Sequence, residues 1–234
     1  MVFADQRREY SLAGLDRRDL ADDPLVQFRT WYEDMQGVAR GSWLRGVGIA
    51  LFNLWHAILG RTTADANAMI VATADGSGQP SARTVLLKGL DQRGFSFFTN
   101  YESRKGRELA ENPRAALVFF WPALERQVIV TGTVTRLPTD ESAAYFRSRP
   151  RGSQIGAWAS RQSSVVENRK QLEQQFADAA ARFHGHDVPV PPYWGGYVLA
   201  PTRIEFWQGR ANRLHDRFAY VREGANWIVH RLAP

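Results

Sequence analysis

Arg83-Thr84-Val85-Leu86-Leu87-Lys88 is an apolar run with a cation at each end; Thr99-Asn100-Tyr101-Glu102-Ser103-Arg104-Lys105-Gly106 follows after one turn and one further apolar run. The first run reads as a strand. Val85 and Leu87 share a face with Arg83, and Leu86 shares the other with Thr84 and Lys88. Charge at the ends of such a strand calls for a partner, because an unpaired charge is costly to bury. The second segment reads as a loop entering a helix. Arg83, Lys88, Arg104 and Lys105, with the hydroxyls around them, therefore come from two adjacent segments. Arg offers a planar fork and Lys a point charge, and both suit phosphate. A helix start adds free N–H groups and a favourable dipole. Two readings stay open: a cradle for a phosphorylated cofactor, or strand ends and a helix start dressed with solvated charge.

Outward from this run the pattern is β. Residues 69–73 read as a strand, Asp75-Gly76-Ser77-Gly78 as a turn, 82–89 as the strand above and Asp91-Gln92-Arg93-Gly94 as a second turn. Residues 95–99 make a third strand. A short helix over 106–111 stops at Asn112-Pro113. Strands follow over 115–121 and 126–136. Close-set strands joined by tight turns predict an antiparallel barrel with flanking helices, a mainly β (α+β) class, rather than βαβ units. Pro138-Thr139-Asp140 opens a helix, and 147–159, rich in Arg, Gly and Ser, is predicted to be irregular. Ser164-Val165-Val166-Glu167 reads as a capping box with a helix to about residue 183. A Pro-rich loop leads to strands at 196–199, 203–208, 217–222 and 227–231.

Before the β region, Asp22-Asp23-Pro24 followed by Leu25, Phe28, Trp31 and Tyr32 predicts a capped amphipathic helix to about residue 36. The first 20 residues read as a polar, mobile arm. Residues 43–59 are apolar almost all round a helix, with Arg45, Asn53 and His56 as a narrow polar stripe. The run is short of the roughly 20 residues a spanning helix needs. Packing on protein, contact with a membrane surface and disorder all remain open, with protein packing preferred.

The length of 234 residues suits one domain, and a 44% hydrophobic content permits a sizeable core. Eight Trp and 12% aromatics suit a site that holds flat rings. The absence of Cys excludes disulfide and thiolate chemistry and makes a reducing, cytoplasmic setting the default. A net charge of +6 favours anionic partners, but the Arg residues are spread along the chain, which speaks against nucleic acid. The N-terminus has no apolar signal core. His184 and His186 lack a metal-ligand spacing, so no metal is expected. A second dense cluster is Glu205-Phe206-Trp207-Gln208-Gly209 with Arg213-Leu214-His215-Asp216-Arg217, where His can exchange a proton near neutral pH. Taken alone it is equally a basic loop with a satisfied His. Gln127 at a strand start could hydrogen-bond a heteroaromatic edge or simply be solvated.

Taken together, these segments resemble the pyridoxamine 5′-phosphate oxidase family. The resemblance rests on Arg83 through Lys88, Ser103-Arg104-Lys105, Leu124-Glu125-Arg126-Gln127-Val128, Tyr145-Phe146-Arg147-Ser148-Arg149-Pro150, Ser153-Gln154-Ile155-Gly156-Ala157-Trp158, Gln162-Ser163, Trp194-Gly195-Gly196, Ile204 through Gly209, Arg213 through Arg217 and Arg231-Leu232-Ala233-Pro234. It covers nearly the whole chain except 37–62, which it marks as an added apolar segment. It implies a single split β-barrel domain of the FMN-binding type, completed by 197–234 and working as a homodimer. FMN contacts would fall to Arg83, Thr84, Val85, Leu86, Leu87, Lys88, Phe98, Thr99, Arg104 and Lys105, to Gln162 and Ser163 of the partner subunit, and to Gln127, Trp207 and Arg217. Lys88, Tyr145, Arg149 and Ser153 would grip a substrate phosphate. Arg213, Leu214 and His215 would meet the pyridine ring, with Arg213 and His215 catalytic. Arg7, Arg8, Glu9 and Tyr10 would close over it, and Asp65 matches a further site position. The implied reaction is oxidation of pyridoxamine or pyridoxine phosphate by O2. A flavin oxidase acting on another ring, of phenazine type, and a non-catalytic FMN or pyridoxal phosphate carrier are the alternatives. Phe98 stands where the family often has Tyr, and Phe120-Trp121-Pro122 departs from the family pattern.

Overall fold

The structure is a computed structural model and describes residues 9–39 and 65–234. The expectations for Arg7, Arg8 and the apolar run 43–59 lie outside the described residues. Among the described residues nine strands pair in the order β2-β1-β5-β6-β7-β4-β3, with β8 on β7 and β9 on β8. The strands are β1 (Ala68–Ala74), β2 (Pro80–Leu86), β3 (Gly89–Asp91), β4 (Gly94–Asn100), β5 (Arg114–Trp121), β6 (Arg126–Arg136), β7 (Trp194–Gln208), β8 (Asp216–Glu223) and β9 (Asn226–Leu232). The helices among the described residues are α1 (Pro24–Ala39), α2 (Arg104–Glu111), α3 (Thr139–Ser148), α4 (Arg151–Ala159) and α5 (Arg169–Arg182). The mainly β class with flanking helices holds. None of these helices is long and apolar enough to cross a membrane.

The chain divides into two compact units. The first takes the N-terminal part to Val71, Ala116–Gly132 and Pro201–Pro234. Its helix α1 buries Phe28, Trp31 and Met35, the i, i+3, i+7 face that the apolar spacing prescribes. Phe28 meets Phe119 edge-on at 4.8 Å, and Trp31 meets Phe206 at 5.1 Å. Arg126 lies over Trp31 at 4.4 Å and reaches Asp34 at 2.7 Å. β7 pairs antiparallel with β8, Trp207 opposite Arg217, and β8 with β9. Residues 11–16, within the stretch expected to be mobile, are hydrogen-bonded. The Ser11 and Leu12 amides donate to Glu125, and the Leu15 amide to Asp216 at 3.0 Å.

The second unit comprises Ala72–Ala115 and Thr133–Ala200. β4 pairs antiparallel with the first half of β7, Thr99 opposite Gly195. Phe146, Ile155, Phe183, Val188 and Trp194 form its buried cluster beside the helices.

Four local expectations need correction. The strand at 82–89 ends at Leu86; Leu87 and Lys88 lie between β2 and β3, where the Lys88 amide donates to the Ser96 carbonyl. Residues 151–159 of the stretch expected to be irregular are α4. Pro150 accepts the Ser153 and Gln154 amides, and Ile155 sinks into the buried cluster. That burial outweighs the poor helix propensity of Gly152 and Gly156. The capping residue of α5 is Asn168, whose side chain accepts from the Gln171 amide, rather than Ser164. The two strands expected at 196–199 and 203–208 are one, β7, because Pro201 sits within extended backbone that its ring tolerates.

Candidate active site

β2 places Arg83 and Val85 on its half-buried face and Thr84 and Leu86 on its exposed face, the alternation of a pleated strand. Arg83 is fixed by a buried carboxylate, Glu108, on the inner face of α2. Its Nη2 lies 3.2 Å from Glu108 Oε2, and it also donates to Ser81 and Thr73. Arg104, four residues before Glu108 on the same helix, donates from Nε at 2.8 Å. Burial works to raise the Glu108 pKa. Hydrogen bonds from Ser81, Thr73, Arg104 and Arg83 outweigh it and hold the carboxyl at about 2.

Ser103 caps α2, its side chain accepting from the Gly106 amide. Gly106 has no room for a side chain: a Cβ there would fall 2.1 Å from the Tyr101 carbonyl oxygen. The tight entry turns Lys105 inward. Its Nζ donates to Thr99 at 2.8 Å, Ser103 at 3.3 Å and Gln162 at 2.8 Å, all neutral oxygens. Burial, reinforced by the nearby Arg83 charge, lowers Lys105 to about 8.

Ser81, Arg83, Thr99, Arg104, Lys105 and Gln162 line a cleft of about 950 Å³ in the second unit. Its described walls carry Arg83, Lys88, Arg104, Lys105 and Arg149 and no carboxylate. Tyr145, Ser153, Gln162 and Ser163 join them. Phe98, Tyr145 and Trp194 stack nearly parallel on one wall, with Phe98 and Tyr145 centroids 4.0 Å apart. A Cβ on Gly196 would lie 2.7 Å from the Phe98 ring, so glycine there makes room for the stack. Arg149 rests over Trp194 at 4.9 Å. Its Nη1 is buried with no hydrogen-bond partner, and burial depresses its pKa. A buried guanidinium N–H without an acceptor is costly, and an incoming anion would supply one.

The first unit holds the second group. His215 tilts over Trp207 at 4.6 Å, and Tyr10 meets Trp207 and His215 edge-on at 5.5 and 5.7 Å. His215 Nδ1 accepts the Arg210 amide at 3.1 Å, so the neutral ring carries its proton on Nε2. Asn212 and Arg213 both have positive φ, 57° and 61°. Each such non-Gly residue costs of order 1–3 kcal/mol, and such strain clusters at functional sites. Among the described residues the other two are Glu125 and Ser163.

The structure thus brings Arg83, Thr84, Val85, Leu86, Lys88, Phe98, Thr99, Arg104, Lys105, Tyr145, Arg149, Ser153, Gln162 and Ser163 to one cleft. Gln162 Oε1 accepts from Lys105 and Thr99 within its own chain. Leu87 is buried and is not on the cleft wall. Gln127, Trp207, Arg213, Leu214, His215, Arg217, Tyr10, Glu9 and Asp65 belong to the first unit. Arg217 there is engaged by Glu205 Oε1 at 2.7 Å and by the Ala233 carbonyl at 2.9 Å. Glu9, Asp65 and Leu214 are exposed. Sequence reasoning missed Glu108, Ser81, Thr73 and Glu125. The Arg104–Glu108 spacing of i, i+4 was a visible signal for the first; Glu125 stood in a stretch that carries the resemblance but received no role, and nothing local marked Ser81 and Thr73.

Residues 60–183 match the family described as pyridoxamine 5′-phosphate oxidase, and residues 194–234 match the pyridoxine 5′-phosphate oxidase C-terminal dimerisation region. A pyridoxine/pyridoxamine 5′-phosphate oxidase of Rubrobacter xylanophilus is 51% identical over 99% of this chain and 96% of its own length. One of Salinibacter ruber is 50% identical over 235 residues, 99% of each chain. That alignment runs through residues 37–62 as well. Among solved structures, PhzG of Burkholderia lata, in complex with tetrahydrophenazine-1-carboxylic acid, is 31% identical with a TM-score of 0.69, covering 83% of this chain and 96% of its own. A pyridoxamine 5′-phosphate oxidase-related, FMN-binding protein of Nostoc punctiforme, 18% identical with a TM-score of 0.59 over 77% of this chain and 95% of its own, shares the fold. The cation-lined cleft, the strained Arg213 loop and these full-length similarities agree: the chain belongs to the pyridoxine/pyridoxamine 5′-phosphate oxidase family, enzymes of the split-barrel fold.

Proposed function

We propose that this protein is an FMN-dependent oxidase, cytoplasmic and homodimeric, that converts pyridoxamine 5′-phosphate and pyridoxine 5′-phosphate to pyridoxal 5′-phosphate in vitamin B6 salvage or synthesis. The observation that carries the reading is the cleft with five cations on its described walls, of which Arg83 and Arg104 share the single carboxylate of Glu108 behind them. Two phosphoesters, one on the cofactor and one on the vitamer, match that charge. The orphaned Arg149 Nη1 and the Lys105 ammonium, held only by neutral oxygens, fit such anions. The phenazine alternative shares the FMN phosphate and differs in bringing one carboxylate where the vitamer brings a phosphate; the orphaned Arg149 Nη1 beside Lys88, Tyr145 and Ser153 favours the more highly charged phosphate.

When bound, FMN supplies the two-electron acceptor and hands the electrons to O2 as H2O2. Arg83, Lys88, Thr99, Arg104, Lys105, Gln162 and Ser163 hold its phosphate and ribityl chain in this reading. Lys88, Tyr145, Arg149 and Ser153 hold the vitamer phosphate and so orient its ring. The alcohol loses a hydride from its hydroxymethyl carbon and a proton from its hydroxyl, giving the aldehyde. The amine loses the same pair, and water hydrolyses the imine to the aldehyde and ammonia. Arg213 supplies fixed positive charge beside the ring. His215 presents an Nε2–H donor, so it orients an acceptor on the substrate, and the departing proton goes to solvent. The bond that Nδ1 accepts from the Arg210 amide favours this donor role.

Purified protein should be yellow, and its flavin should bleach anaerobically on adding pyridoxine phosphate. Air should then release peroxide with both vitamers. A colourless protein without FMN affinity, or FMN that stays oxidised with both vitamers, would end this reading.

A further inference from the structure

We propose that Glu125 is a positioning residue that docks the N-terminal arm onto the Tyr10–Trp207–His215 group. The residue is 2% exposed, and its Oε2 accepts the Ser11 amide at 3.0 Å and the Leu12 amide at 3.1 Å. Those amides belong to the residues that directly follow Tyr10. With them held, the Tyr10 ring lies edge-on to Trp207 and His215. The backbone of Glu125 is tied to the other side of the same group. Its carbonyl accepts the Gly209 amide at 2.8 Å and Gln208 Nε2 at 3.2 Å, at the strand end that leads into Arg213 and His215. Glu125 holds φ at 54°, an arrangement that survives only where its surroundings over-determine it. Gly209 completes the fit: a Cβ there would sit 2.7 to 2.9 Å from Tyr10. One residue thus fixes the arm through its side chain and the strand end through its carbonyl.

The chemistry explains the choice of residue. A buried carboxylate accepting two amides makes charge-assisted bonds, stronger than neutral ones. Gln in the same place keeps an acceptor oxygen but not the charge, and Ala removes both.

The kinetic readout rests on the oxidase reading, so a second readout does not. The full-length holoenzyme is assayed for peroxide release with pyridoxine phosphate as wild type, E125Q, E125A, Y10A and the Y10A/E125A double variant. E125A should raise KM by about tenfold, the loss of one to two charge-assisted hydrogen bonds, with kcat within about threefold. E125Q should fall between wild type and E125A. The double variant should be no worse than the worse single one, because both changes undo the same docking. In parallel, amide hydrogen exchange should show Ser11 and Leu12 protected in the wild type, less so in E125Q and unprotected in E125A. Multiplying effects in the double variant, or protection that survives in E125A, overturns the proposal. Should E125A lose its flavin, E125Q carries the same two tests. A wild type that never turns over refutes the oxidase reading instead, and the exchange experiment still decides the role of Glu125.

Discussion

Replacing Glu108 by Gln removes the negative charge that Arg83 and Arg104 share while keeping the shape of the side chain. A carboxyl held at about 2 against its ordinary 4.5 contributes about 3 kcal/mol of folding stability when ionised. The sign follows from the depression. The contribution is complete above pH 4.5, shrinks as the pH falls from there, and is gone once the folded carboxyl protonates near 2. E108Q should therefore lie about 3 kcal/mol below wild type at pH 7, and the gap should close by pH 2. Asp75, Asp91, Glu141 and Asp216 are also held below their ordinary values, so both proteins lose stability in acid. Only the difference between them isolates Glu108. Urea unfolding of both at equal protein concentration, repeated from neutral pH to pH 2, measures it. A gap that stays constant across that range would refute the reasoning, because Glu108 would then act by packing rather than by charge.

Three further outcomes follow from the cleft. R149M should keep its FMN but raise KM for the phosphorylated vitamers by about 10- to 100-fold, the worth of one charge-assisted hydrogen bond or more; unchanged KM would remove Arg149 from the phosphate grip. G196A should push Phe98 off Tyr145 and cost about 1–3 kcal/mol through overpacking, seen as a lower melting temperature; a melt equal to wild type would show that Leu137 and Phe98 yield freely. Lys105 attracts a phosphate only while protonated, so FMN affinity of the apoprotein should weaken as the pH rises through about 8. Flavin fluorescence titrations should show that step in wild type and lose it in K105M; the same step in K105M would assign it to another group.

The periodicities and turn residues of the chain were enough for most of its elements. Phe28, Trp31 and the preceding Asp-Asp-Pro defined α1, and alternation around Arg83 and Val85 defined β2 and its buried side. These signals are local, so they can be read without knowing what lies opposite. The residue types of the cation-rich wall were legible for the same reason: cations bracket an apolar strand and reappear at a capped helix start. Other features depend on partners distant in sequence. Arg151–Ala159 becomes a helix because Ile155 finds Phe146, Phe183 and Trp194. Arg217, which the resemblance places near the flavin ring, is held in position by Glu205 and a C-terminal carbonyl. Glu108 becomes the hub of the cradle because Thr73 and Ser81 lie on neighbouring strands. The tautomer of His215 is set by the Arg210 amide, and the arm by Glu125, 114 residues away from Ser11. A linear pattern records what each residue can offer in charge, hydrogen bonding and shape. Which offer is taken up depends on chain closure, since burial and pairing energies exist only once distant segments meet.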